Sequence, residues 1–169
     1  MNVEPSSALP GRVMSLHLHP TDPGATLQTV EEIEVVEQKG IAGEPRYFGR
    51  VYRENGHPHK RQVTLIEREQ LQQHAGALGL QAIPPGAVRS NIETFGINLV
   101  ELVGRQVEIG SAVLFLSSPR DPCEKMDAIC QGLKQLMKDQ RQGVLAQVVR
   151  SGKIRVGDSI VVRSAVAIR

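Results

Sequence analysis

At 169 residues the chain has the length of one domain, and 40% hydrophobic with 22% charged residues is the composition of a globular protein with a real core. A net charge of +2, 3% aromatics and no Trp supply neither the basic excess nor the stacking rings that nucleic-acid binding uses. The longest apolar runs, such as Ala112 to Leu116, are too short to cross a bilayer, so neither nucleic acid nor membrane is an expected partner. Two cysteines and a polar N-terminus without an apolar signal segment fit a reducing cytoplasm. With so few aromatics, Val, Ile and Leu must fill the core.

Residues 1–10 read as a loose tail around Pro5 and Pro10, and 11–169 as a single domain. Arg12 to His19 alternates like a strand, with the Leu16 side facing inward. His17 and His19 share the other face, which is expected to be solvated. A metal site there would need a third ligand. After a turn-rich loop ending at Gly24, Leu27 to Val36 reads as one or two strands whose Glu31, Glu32, Glu34 and Glu37 form a solvated acidic face. Gly40-Ile-Ala-Gly43 is a turn that needs positive φ.

The next window is the most basic of the chain: Arg46, Arg50, Arg53, Lys60 and Arg61, with His57 and His59, against only Glu44 and Glu54. It reads either as a solvated loop or as the wall of an anion pocket, since arginine forks match phosphate oxygens. Gln62 to Ile66 is a β-branched strand, and Arg68 to Leu78 a helix with Leu71, His74, Ala75 and Leu78 on its apolar side. His74 reads as a histidine at the edge of the core. Gly79 to Gly86 turns the chain. Val88 to Ile92, read as extended, places Arg89 and Asn91 on one face, either as an anion-holding pair or as a surface strand.

Short strands follow at Gln106–Ile109, Ala112–Ser117, Val144–Arg150, Ile154–Val156 and Ser159–Ile168, and their close spacing at the C-terminus predicts antiparallel hairpins. Many short strands, two or three helices and no βαβ alternation predict a mainly β fold, a closed or partly open barrel with peripheral helices. Phosphate loops, HExxH and GxSxG are absent from the sequence.

Between these strands lies Pro119-Arg-Asp-Pro-Cys-Glu124. Asp121 as N-cap, Pro122 at the first helical position and Glu124 closing a capping box predict a helix from Cys123 to about Gln140. Its apolar stripe is Met126, Ile129, Cys130, Leu133, Leu136 and Met137. Cys123 would then sit in the first turn, where free N–H groups and Arg120 favour a thiolate. The alternative is a small buried hydrophobe. Cys130 falls on the apolar stripe and is expected to be buried and inert. It lies about 10 Å along a helix from Cys123, too far for a disulfide.

Seven stretches carry a family resemblance by their order and spacing: Gly-Ile-Ala-Gly-Glu-Pro-Arg (40–46), Arg-Gln-Val-Thr-Leu-Ile (61–66), Arg-Ser-Asn-Ile (89–92), Gly-Ser-Ala-Val-Leu (110–114), Arg-Asp-Pro-Cys (120–123), Gly-Val-Leu-Ala-Gln-Val-Val (143–149) and Gly-Lys-Ile-Arg-Val-Gly-Asp (152–158). Over about residues 11–163 the chain resembles the MOSC domain, named from the C-terminal domain of molybdenum cofactor sulfurase, and most resembles its small stand-alone bacterial members. The resemblance implies a barrel-like, strand-rich fold. It also implies that Cys123 ligates the molybdenum of a pterin cofactor, while Arg89, Asn91 and Arg120, with Arg46 and Arg61, hold the cofactor's anionic part. The family often reads Gly-x-x-Gly-Asp-Arg where this chain has Gly40-Ile-Ala-Gly43-Glu44-Pro45-Arg46.

Two activities follow from the resemblance: oxo-transfer, such as reduction of N-hydroxylated compounds, or carriage of a persulfide on Cys123 to a metal–sulfur centre. The first needs a separate redox partner and the second a separate cysteine desulfurase. Pyridoxal phosphate is not expected in this chain. The competing reading is a non-enzymatic barrel that binds a phosphorylated metabolite or a protein partner.

Overall fold

The computed structural model describes residues 10–163. The strands are β1 (Gly11–Leu18), β2 (Gln28–Val30), β3 (Glu32–Val36), β4 (Gly40–Ile41), β5 (Val63–Glu67), β6 (Ile92–Phe95), β7 (Gln106–Ile109), β8 (Ala112–Pro119), β9 (Val144–Arg150), β10 (Gly152–Arg155) and β11 (Ser159–Val162). The helices are α1 (Arg68–Ala77), α2 (Lys125–Ile129) and α3 (Leu133–Leu136), with a short 3-10 turn at Val100–Leu102. Seven strands close into a barrel in the order β1-β11-β7-β8-β9-β5-β6, and β6 pairs back to β1. Strand β2 adds to the outer end of β1, and β10-β3-β4 form a separate three-stranded sheet.

The barrel interior is aliphatic, as the scarcity of aromatics requires. Leu16, Leu65, Ile92, Ile109, Leu114 and Leu116 are fully buried there. A second apolar cluster lies outside the wall: Ile66, Leu71, Ala75, Ile83, Val88, Met126, Leu133 and Met137. Strand β5 serves both. Val63 and Leu65 face the first cluster and Ile66 the second, so all five of its residues are buried.

Several expectations need correction. The predicted helix from Cys123 to Gln140 is two short helices. Asp127 explains the break, because its Oδ1 accepts from Gly132 N at 3.2 Å and Lys134 N at 3.0 Å. Gly132 takes φ +94° to make that turn, and Asp139 and Gln140 are themselves left-handed. The capping box does not form: Glu124, not Asp121, occupies the N-cap, and no side chain caps the helix. Cys123 therefore lies ahead of the helix, outside its first turn.

The face carrying His17 and His19 is buried, not solvated: His17 is fully buried and His19 is 3% exposed. A bulge between Val13 and Ser15 lets both sides of β1 be covered. Loop glycine Gly86 closes over the outer side; a Cβ on it would stand 2.8 Å from His17 Nδ1. Residues 88–92 are not a strand. Arg89 has φ +66°, and the strand begins at Ile92. One βαβ unit is present after all, since β5 and β6 are parallel with α1 between them. The C-terminal strands do not form local hairpins: β10 pairs with β3, and β11 with β7 and β1. Residues 164–168 of the last predicted strand lie outside the described residues.

Other readings hold. The acidic side of β3 is exposed, Gly40 and Gly43 have positive φ, and α1 buries Leu71, His74 and Ala75. His74 is deeper than an edge position, fully buried with Nε2 donating to Arg141 O at 2.9 Å.

Candidate functional site

The site gathers around the ends of β8, β9, β5, β6 and β1. Pro119 on β8 lies opposite Val144 on β9, Leu65 on β5 pairs with both Val144 and Ile92, and Ile92 on β6 pairs with Leu16 on β1. Arg120 and Gly143 lie one step beyond the first pair, Arg61, Arg89 and Asn91 precede β5 and β6, His19 follows β1, and the Arg120 side chain reaches across to Ser90 and the neighbourhood of Arg61, Arg89 and Tyr47. No local pattern in the sequence links them.

Arg120 is the centre of the rim. It is 7% exposed. Its backbone N–H donates to Gly143 O at 2.9 Å and its Nη1 to Ser90 Oγ at 3.1 Å. Burial, and next the charge of Arg61, lower its pKa to about 10, with Arg89 adding to the fall. Cys123 and Tyr47 act in the opposite direction. The guanidinium stays charged at neutral pH, and the residues that act on it are its neighbours.

Tyr47 gathers the rest. The guanidinium carbons of Arg61, Arg46 and Arg50 lie 4.9, 5.3 and 5.8 Å from its ring centroid, within cation–π range. His19 packs on it at 4.8 Å between centroids. Beneath, Glu44 is 2% exposed. Its Oε2 accepts from His19 Nδ1 at 2.7 Å, and both its oxygens accept from Asn91 Nδ2 at 3.2 Å. Glu44 thus ties the loop carrying Arg46 and Tyr47 to β1 and β6.

Five arginines (46, 50, 61, 89 and 120) converge, and among the described residues none is in an ion pair. Arg46 Nη1 is buried and has no hydrogen-bond partner among the described residues. Arg120 is the buried one of the five, and burying a cation without counter-charge is unfavourable unless an anion completes the site. Cys123 stands beside this rim as an exposed free thiol. Without the helix first turn, Arg120 and its neighbours are its source of positive field. Cys130 is half-buried against the outer apolar cluster, with Sγ 3.8 Å from Gln131 O, so it is less enclosed than its stripe position predicts.

The structure thus brings Arg46, Arg61, Arg89, Arg120 and Cys123 together, but gives Asn91 another task. Its Oδ1 accepts from Thr64 N at 3.0 Å and Thr64 Oγ1 at 3.1 Å, and its Nδ2 donates to His17 O and Glu44. With every polar atom used inside the wall, Asn91 organises the rim from below. Arg89 also turns away from the expected shared face, its Nη1 donating to Ala25 O at 2.8 Å. Tyr47, Glu44 and His19 were missed by sequence reasoning. The available signals were a tyrosine, rare in this chain, next to Arg46, and a lone acid at the head of the basic window. Among the described residues no three His, Cys, Asp or Glu cluster as a metal site, and no helix is long and apolar enough to cross a membrane.

Solved structures share this architecture. The YuaD protein from Bacillus subtilis superposes with a TM-score of 0.76 at 20% identity, over 92% of this chain and 96% of that one. YiiM from Escherichia coli gives 0.64 at 21%, over 95% and 71%, and YiiM from Geobacillus stearothermophilus 0.68 at 18%, over 92% and 76%. No curated protein matches the chain. The family model described as the MOSC domain matches residues 26–161, which include the whole arginine rim and Cys123. The chain belongs to the MOSC domain family.

Proposed function

We propose that the arginine rim and Cys123 hold a molybdenum–pterin cofactor, the Cys123 sulfur serving as a metal ligand and the arginines receiving the pterin phosphate. The observation that carries this reading is Arg120: a guanidinium 7% exposed, among four further arginines that have no ion-pair partner among the described residues, beside an exposed thiol. A soft metal favours a thiolate, and a phosphate matches arginine forks, so the donor set fits both ends of the group. When bound, the cofactor would supply two-electron oxo-transfer, such as reduction of N-hydroxylated compounds.

The chain's own residues prepare the place. Arg61, Arg46 and Arg50 present a cationic face fixed over Tyr47. Arg120 lies beside Cys123, and Glu44 with Asn91 holds the loop that carries the face. Turnover as a reductase calls for an electron source, for which a redox partner is proposed. The exposure of Cys123 also suits a persulfide carrier loaded by a separate cysteine desulfurase, because such a handover needs an accessible thiol.

Alkylation mapped by mass spectrometry tests the cofactor reading. Apo-protein and protein incubated with molybdenum cofactor are treated with iodoacetamide. The proposal expects Cys123 to be protected at least tenfold by the cofactor while Cys130 is unchanged. Equal alkylation of Cys123 in both samples contradicts it and favours a barrel that binds some other anion.

A further inference from the structure

A cleft of about 470 Å³ opens between the β1–β2 connection, the loop at residues 84–89 and α2. Its volume is in the range of sites for small organic ligands. Leu27, Pro85, Ala87 and Ile129 give it apolar walls. Arg89 and Lys125 bring its only charges, and among the described residues no carboxylate lines it. Neither cation is in an ion pair among the described residues. Arg89 is a built feature: its backbone is left-handed, and its Nη1 donates to Ala25 O at 2.8 Å, fastening one wall of the cleft to another. Lys125 is exposed and free to reach an incoming group. It stands two residues along the chain from Cys123, so the cleft borders the thiol without including it.

We propose that this cleft binds a small organic anion with a flat apolar body, an aromatic carboxylate being the matching class. The apolar walls take the ring, and the two cations take the carboxylate. Inorganic phosphate would find the charges but not the walls, and a neutral aromatic the walls but not the charges. The cleft shares Arg89 with the rim, whereas its apolar walls and Lys125 belong to the cleft alone.

Isothermal titration with 2-naphthoate, 2-naphthamide and inorganic phosphate tests it, on protein whose molybdenum content has been measured. The naphthoate is expected to bind at least tenfold tighter than the amide and not to be displaced by phosphate at equal concentration. Lys125→Met should weaken naphthoate at least fivefold, and Ala128→Trp, which fills the cleft from an exposed position, should abolish it. Cys123→Ala should leave binding unchanged. Equal affinity for acid and amide, displacement by phosphate, or undiminished binding in folded Ala128→Trp would each overturn the proposal. Molybdenum content reports separately on the rim, so failure of either reading is seen without the other.

Discussion

Arg120 and Asn91 show how single side chains divide the labour of the rim. Both look like ligand contacts in sequence, yet the Arg120 guanidinium has no carboxylate partner among the described residues, while Asn91 spends its amide on Thr64, His17 and Glu44. The two predict different failures. Asn91→Asp would place a second carboxylate against Glu44 and remove the donors that hold it. We expect a loss of about 2 kcal/mol or more in chemical denaturation, because both partners are buried. Arg120→Met has a similar length but no charge. Its unfolding midpoint should move little, since among the described residues the guanidinium has no ion-pair partner to lose, while binding of molybdenum cofactor should weaken about tenfold or more. Cofactor affinity unchanged from wild type would show that Arg120 does not hold the anion. Cysteine and arginines were legible as chemistry in the sequence, but Tyr47, Glu44 and His19 were not, because their roles arise from contacts between distant segments.

Elements succeed or fail as sequence readings according to how local their causes are. Helix α1 and strands β7 and β9 follow from periodicity and match their expected spans closely. The long helix after Cys123 fails because periodicity describes only which residues face the core. Asp127 and Gly132 break the backbone while Met126, Leu133 and Met137 stay buried on one side. The connection into β9 is a sharper case. Gly143 has φ +76°, and a Cβ there would lie 2.0 Å from Leu65 O and 2.8 Å from Ile66 Cα. The same residue's carbonyl receives the Arg120 N–H. Gly143→Ala is therefore expected to cost about 3 kcal/mol through strain and backbone displacement, measured by urea denaturation. A loss below about 1 kcal/mol would mean that β5 and β9 can separate at this end without consequence.

At the scale of the molecule, the barrel class was readable from many short strands and an aliphatic core, whereas closure was not. Closure depends on β1 pairing with β11 as well as with β6, and that information is non-local. The buried histidines give the whole fold a pH signature. Burial is the main reason that His17 and His74 sit below the ordinary histidine value of 6.5. Above that value both rings are neutral in folded and unfolded chains. As pH falls through it, the unfolded chain gains protons that the folded one resists, so stability drops. Glu67, raised chiefly by burial, acts in the opposite sense at lower pH. The melting temperature should therefore fall from about pH 7 to about pH 5.5, and His74→Gln, which keeps a donor toward Arg141 O, should make that fall shallower. An identical slope in the variant would show that His74 does not contribute.

The central claim is that five convergent arginines and one exposed cysteine form a place for an anionic, sulfur-ligated cofactor. Metal and pterin analysis of gently purified protein, produced with molybdate and compared with Cys123→Ala, tests it most directly. The account predicts molybdenum and pterin in near-equal amounts with the chain, and molybdenum lost from the variant. Molybdenum retained equally by Cys123→Ala would contradict it.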